Sequence, residues 1–485
     1  MELAFWFGLV AVILLGSALA SGLVDRAPLS FPMLFLGLGF LLGGGGVGLI
    51  SVDAHDPVLE VVAILSLALV LFLDAVKVQF DELRSDWRIP MLSLGPGTLI
   101  TIGAIALSAH YLLGTSAIES LLLGAILSST DPVVLRDVLR DGRIPRSVRR
   151  ALGVEAGMND LVVLPIVLIL IAVLTARAGG WGDWIIFLAQ LLLLSPLVGL
   201  AVGGFGAWLM SKADAKLGIR REYQALYGIG LVLAAYAAGQ SLQGDGFLSA
   251  FFAGLSVAIF NVSLCDCFLE FGETAAEMAM LLAFVLFGAV FSTLLGTIPL
   301  VPALLLAVLA VGVIRPAAMW LVMLRAQLSR AARVFIGWFG PRGLNSLLLA
   351  LLVVQAGAPG GERLLAIAGV VVLVSVVVHG ASATPLAAWY GKRVASAQET
   401  FPEEREAMAT GLFQRDGASA PKTTPEGLAD MLKGPEPPIV LDVRSRAHYE
   451  ADDAQIPGSV RVVPDQIEAW AAHAPRERLV VAYCT

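Results

Sequence analysis

The chain has 485 residues, of which 58% are hydrophobic and 15% charged, with a formal net charge of −7. A soluble domain carries about a quarter charged residues, so a string of soluble domains is excluded; the net charge says little, because the charges are segregated by loop. Apolar runs succeed one another from Met1 to about Tyr390, and the text turns polar after Gly391. This divides the chain into a membrane domain at 1–393, a linker at 394–425 and a small domain at 426–485.

The first run, 3–23, follows Glu2 and lacks a basic leader, so it is expected to stay as a spanning helix rather than be cleaved. A span needs about 20 mostly apolar residues. Further spans are expected at 29–50, 57–78, 90–113, 117–139, 148–174, 184–210, 222–242, 246–262, 274–295, 299–324, 331–355 and 364–390, roughly thirteen in all. Basic residues follow the odd-numbered spans: Arg26, then Arg84 and Arg88, then Arg140 to Arg150, then Lys212 to Arg221, then Arg325 to Arg333, then Lys392 and Arg393. An excess of Lys and Arg marks cytoplasmic loops, which puts the N-terminus outside and the tail inside. The acidic loop at 261–272 is the dissenter. An odd count suits two six-helix halves around a linker helix, the arrangement of inverted-repeat transporters. The expected fold is therefore an all-α polytopic membrane protein with a small α/β tail.

Ionisable groups at membrane depth are expensive and call first for a functional reading. Asp74, late in the third span, reads equally as a solvated boundary residue or as part of a site. The fifth span carries Ser128-Ser129-Thr130-Asp131-Pro132. Pro132 has no amide hydrogen and clashes with the preceding turn, so the helix should break where hydroxyls and a carboxylate gather. Broken helices with oxygen donors are how transporters bind small cations; a kinked helix with Asp131 in an aqueous vestibule is the plainer alternative. In the sixth span Glu155 and Asp160 are five residues apart, some 140° around the axis, so they face different neighbours. Low dielectric disfavours an ionised carboxyl group, which suits an acid that swaps a proton for a cation; a neutral or ion-paired Asp160 with a packing role is the alternative. Arg315, inside the eleventh span, needs a buried partner, and Glu155 is the natural one. The twelfth span holds Gly340-Pro341-Arg342-Gly343, a second break, at the position that two halves would assign to the counterpart of the fifth. Arg342 is read as neutralising helix-end dipoles, or else as snorkelling to the interface.

These stretches together resemble the monovalent cation:proton antiporter superfamily, most of all its sodium/proton exchanger branch. SSTDPVVL resembles its Thr-Asp-Pro break, EAGMND its Glu and Asn-Asp segment, and WFGPRGLNSLLLALLV its Gly-x-Arg-Gly helix. GFLSAFFAGLSVA and VVVHGASATPLAAWYGK resemble its gate helix and last helix. The resemblance covers about the first 390 residues. It implies an elevator-like exchanger, often a homodimer, with two broken, crossing helices. By motif, Asp160 is the ion and proton carrier, Asn159, Ser129, Thr130 and Asp131 frame the site, and Glu155 pairs with Arg315. Asn before the carrier goes with electroneutral exchange in that family. Sodium is the expected cation, with lithium and potassium open; no cofactor and no nucleic acid is expected. A potassium efflux system of the same superfamily is the alternative, although no G-x-G-x-x-G follows Tyr390.

Cys265, Cys267 and Cys484 make no disulfide framework, and the C-x-C pair has no further Cys or His beside it to complete a metal site. The tail reads as strand, turn, strand, short helix and strand. Leu441-Asp442-Val443-Arg444 and Gln455-Ile456-Pro457-Gly458-Ser459 resemble the first two motifs of a rhodanese domain, with Gln where His is usual, and Cys484 falls at its nucleophile. That family's thiolate is stabilised by amides of the loop after it. The sequence stops at Thr485, so no sulfur transfer is expected of it, and a membrane-anchored sulfurtransferase is the remotest reading.

Overall fold

The computed structural model describes residues 31–77, 87–176, 179–260, 262–395, 425–434, 437–443, 455–462 and 478–483, with single positions elsewhere. Most of the first expected span, most of the linker, the loop residues Arg26 and Arg84, most of the tail helix, Arg444 and Cys484 lie outside the described residues, as do the side chains of Cys265 and Cys267. The chain forms two compact units, Met1–Met408 and Ala409–Thr485.

In the first unit the helices run α1 Phe31–Leu42, α2 Pro57–Val76, α3 Arg88–Leu113, α4 Ala117–Ile126, α5 Arg136–Arg140, α6 Arg146–Leu174 and α7 Trp181–Leu217. They continue as α8 Arg221–Ser241, α9 Gly246–Phe260, α10 Val262–Leu294, α11 Leu300–Arg325, α12 Arg330–Trp338, α13 Leu344–Gln355 and α14 Gly361–Ala395. Seven helices among the described residues are long and apolar enough to cross a membrane. The hydropathy runs at 117–139 and 331–355 are not continuous helices: each is two pieces, α4 with α5 and α12 with α13, separated by extended or turning chain. Proline explains both interruptions. Pro132 and Pro341 cannot donate to the preceding turn, and the segments around them leave the helix.

Local chemistry sets the helix ends. Asp56 caps α2 by accepting from Val58 N at 2.8 Å, with Pro57 at the first position. Ser116 and Glu119 form a reciprocal capping box on α4. Three long helices contain one π turn each: Ser93–Gly97 in α3, Gln190–Leu194 in α7 and Ala310–Ile314 in α11. Each lies at a proline, Pro96, Pro196 or Pro316, whose missing amide and ring crowd the preceding turn. The wide turn closes on Thr98, Ser195 and Arg315, whose amides donate to Ser93, Gln190 and Ala310. A π turn inserts one residue and rotates the next turn of helix about the axis; Thr98, Ser195 and Arg315 are all buried.

The helices pack as two groups. In one, α1 lies on α10, and α2 and α7 lie on α9. In the other, α3 lies on α4, α4 on α6, α11 on α12 and α14, and α13 on α14. This second group repeats one pattern: a helix with a π turn, an interrupted helix, a long helix. The group containing the interruptions holds every site candidate of the membrane domain except Asp74.

In the second unit, α15 Pro425–Leu432 precedes β1 Ile439–Asp442, β2 Val460–Arg461 and β3 Val480–Tyr483. The sheet is parallel with order β2-β1-β3, Leu441 facing Val460 and Ile439 facing Val480. The three strands stand where the strand-like apolar runs of the tail placed them.

Candidate functional site

The two interrupted spans cross at their gaps, and Asp131 clasps them. Its amide donates to Pro341 O at 2.9 Å. Its carboxylate accepts from Val133 N and from Leu344 N, both at 2.8 Å. Ser346 Oγ adds a bond to Ile126 O at 2.9 Å. Both oxygens of Asp131 are thus spent on backbone amides, one of them at the start of α13, where the helix dipole favours a negative charge. Asp131 therefore joins the two interruptions through backbone amides. Gly343 is required here: a methyl group in its place would overlap the Asp131 carboxylate.

Asp160 sits on α6 against this crossing and is 2% exposed. Ser129 Oγ donates to its Oδ1 and Asn345 Nδ2 to its Oδ2, each at 2.6 Å. Among the described residues no Lys or Arg pairs with it. Around it are buried oxygens without a hydrogen-bond partner: Thr130 Oγ1, next to Ser129, and Asn159 Oδ1, next to Asp160. The Asn159 amide donates to Thr98 Oγ1 at 3.3 Å, and Thr98 Oγ1 donates to Ser93 O at 3.1 Å across the π turn of α3. Asn159 is thereby oriented by that turn. Asp74 comes from α2, in the other helix group, and lies against Gly157, one turn before Asp160 on α6. It is 5% exposed, with Oδ2 unpartnered, so it is not at a solvated edge. Buried oxygens left unpaired are costly, and a partly dehydrated cation is the partner that such a set can take.

Glu155 faces the other way. Arg315, delivered by the π turn of α11, meets it with Nη1 2.6 Å from Oε1, and both side chains are 2% exposed. Arg315 Nη2 also donates to Phe339 O at 3.0 Å. A methyl group at Gly340 would fall on the guanidinium, so the second glycine of the break makes room for the ion pair. Arg342 is buried and turns back on the break, its Nη1 donating to Gly340 O at 2.7 Å, so it does not extend outward. Its amide donates to Ser375 Oγ at 2.7 Å, Ser375 Oγ lies 3.1 Å from His379 Nδ1, and His379 Nε2 lies 2.9 Å from Trp338 O. Ser375 and His379 of α14 thus tie the two sides of the α12–α13 interruption together.

The family described as sodium/hydrogen exchanger, transmembrane, matches residues 10–389. The chain belongs to that family. A K(+)/H(+) antiporter NhaP of Alkalimonas amylolytica is 28% identical over 385 residues, 78% of this chain and 66% of that protein. A K(+)/H(+) antiporter NhaP2 of a Shewanella species (strain MR-4) is 30% identical over 383 residues, 76% of this chain and 64% of that protein. A Na(+)/H(+) antiporter NhaG of Bacillus atrophaeus is 24% identical over 404 residues, 77% of this chain and 74% of that protein. The chain thus spans about two-thirds of the length of the K(+)/H(+) relatives. The solved sodium proton antiporter MjNhaP1 of Methanocaldococcus jannaschii superposes with a TM-score of 0.68 at 20% identity, covering 81% of this chain and 98% of that one. That likeness shows the fold; the family match and the seven long apolar helices among the described residues make the chain an integral membrane protein.

Within the family fold, four polar contacts escaped the sequence reading: Thr98, Asn345, Ser375 and His379. Asn345 stood inside the second break motif, two residues beyond Gly343. Ser375 and His379 were visible as polar residues four apart in a mostly apolar span, which is one face of a helix. Thr98 carried no such signal, because its aim depends on a π turn.

Proposed function

We propose that this chain is a secondary antiporter that exchanges protons for a monovalent cation by alternating access, with Asp160 as carrier. The observation that carries this reading is a buried carboxylate held by two neutral donors, Ser129 and Asn345, at the crossing of two interrupted helices. No fixed positive charge neutralises it among the described residues, so it takes either a proton or a cation, and one displaces the other. Thr130 and Asn159 supply oxygens, Asp131 holds the two half-helices in register, and Glu155 with Arg315 supports them without cycling. One carboxylate that alternates between one proton and one cation gives electroneutral exchange. The cation is sodium or potassium: the motif resemblance favours sodium, while relatives 28–30% identical are named K(+)/H(+) antiporters.

The two helix groups supply the moving parts, the one with the interruptions sliding against the other. Asp74 stands at their seam and is a further candidate for the cation route. The Lys and Arg pattern supports a tail on the cytoplasmic side of a bacterial inner membrane, and the resemblance supports a homodimer.

The test is reconstitution in liposomes loaded with a pH dye, with sodium, lithium and potassium added in turn. Wild-type protein is expected to move protons in response to at least one of them. Asp160→Ala is expected to abolish the response while folded protein remains abundant. A silent wild type overturns the exchange reading, and an Asp160→Ala protein that still responds overturns the choice of carrier.

A further inference from the structure

We propose that Asn345 selects among cations at Asp160, by exchanging the amide nitrogen that holds the bare carboxylate for the amide oxygen that ligates the ion. The inference rests on the exchange reading above. Asn345 is the second residue of α13 and is 2% exposed. Its backbone neighbour Leu344 is fixed by Asp131, so the side chain springs from a tethered point of the crossing. Its Nδ2 lies 2.6 Å from Asp160 Oδ2, opposite the Ser129 hydroxyl on Oδ1.

The two donors differ in what a cation can do with them. A hydroxyl has one hydrogen and two lone pairs, so Ser129 can turn its hydrogen aside and offer an oxygen with its heavy atom in place. A carboxamide carries its hydrogens and its lone pairs at opposite ends. A cation approaching Oδ2 therefore meets the positive hydrogens of Asn345. It must displace the side chain or turn the amide over, which brings Oδ1 where Nδ2 was. The same turned amide accepts from Asp160 once that acid is protonated. Thr130 Oγ1 and Asn159 Oδ1 are available without such a change. Asn345 thus adds both a competitor for Oδ2 and an optional extra oxygen. The number and strength of oxygen dipoles around an ion are what discriminate one alkali cation from another.

The test compares Asn345→Leu, which removes both polar ends of the amide while keeping its branched shape, with Asn345→Gln, which keeps the amide on a longer arm. Thermal stabilisation of full-length protein by sodium, potassium and lithium chloride gives a binding midpoint for each cation. Proteoliposome exchange gives apparent KM and maximal rate. In Asn345→Leu the ratio of the sodium and potassium midpoints is expected to change by about tenfold or more. The same change is expected in the KM ratio, with Asn345→Gln lying nearer to wild type. Equal ratios in wild type and Asn345→Leu overturn the proposal, and so do equal shifts in both variants, which would point to side-chain volume. If Asn345→Leu does not fold, Asn345→Ala takes its place under the same criteria. A wild type that is stabilised by cations but exchanges none overturns the transport reading instead, and that result is separable because the binding midpoints are read without transport.

Discussion

Asp160 and Glu155 are two acids on one helix with opposite fates. Asp160 receives two neutral donors, whereas Glu155 faces a guanidinium at 2.6 Å. A buried pair with good geometry is expensive to break, because removing one partner strands the other charge. Glu155→Ala or Arg315→Ala should therefore destabilise the protein by about 3–5 kcal/mol. The measurement is the yield and thermal midpoint of the detergent-solubilised protein, and an undisturbed midpoint would remove the supporting role. Outside the spans, half-buried Asp245 shows how the loss of solvent acts on an acid. It caps α9 through Leu248 N at 2.8 Å, and burial pushes its carboxyl up from 3.8 to about 6 against the pull of two backbone amides. The folded state then keeps this proton longer than the unfolded chain, so stability falls as pH rises between those values. Asp245→Asn preserves the cap and should abolish that fall. Thermal midpoints of both proteins from about pH 4 to about pH 7 would show it, and parallel curves would refute it.

Among the elements, the interruptions are held by specific contacts rather than left loose. Asp131 caps the start of α13 and its own onward chain at once, and Gly343 leaves the space for its carboxylate. Gly343→Ala must push that carboxylate off Leu344 N, leaving a buried donor unpaired at a cost of about 1–3 kcal/mol. Loss of exchange together with a lowered thermal midpoint is the expected outcome. Normal exchange in this variant would mean that the clasp is dispensable. The π turns act in the same way on a smaller scale. Proline at 96 and 316 widens α3 and α11, and Thr98 and Arg315 beside them turn toward Asn159 and Glu155. Composition and periodicity do not announce a π turn, since it changes the backbone hydrogen bonding and not the residue types.

Across the whole molecule, the seam between the two helix groups carries the contacts that must change if one group slides. Arg136 of α5 meets Glu277 of α10 at 3.4 Å, and His55 meets Glu362 of α14 at 3.6 Å. Both pairs are partly or well exposed, so each is worth little to stability and presents a low barrier to motion. The described candidate site residues all lie in the unit Met1–Met408, and the tail sheet is built from three strands of the tail itself. Protein lacking residues 409–485 should therefore retain cation-driven proton movement in liposomes. Loss of that movement in folded, truncated protein would show that the tail takes part in transport.

The apolar runs and the clustering of the sparse polar groups within them placed the long apolar helices, both interruptions and the Glu155 and Asp160 helix, because the cost of burying charge and of breaking a helix with proline is local and readable residue by residue. They did not reveal that Asp131 spends both oxygens on backbone amides, that Asn345 reaches Asp160, or that His379 straps Trp338 to Arg342 through Ser375. The contacts of Leu344 with Asp131, Asn345 with Asp160, Arg342 with Ser375 and Trp338 with His379 join residues 33 to 213 positions apart, and only the packing of the helices in three dimensions brings such partners within bonding distance.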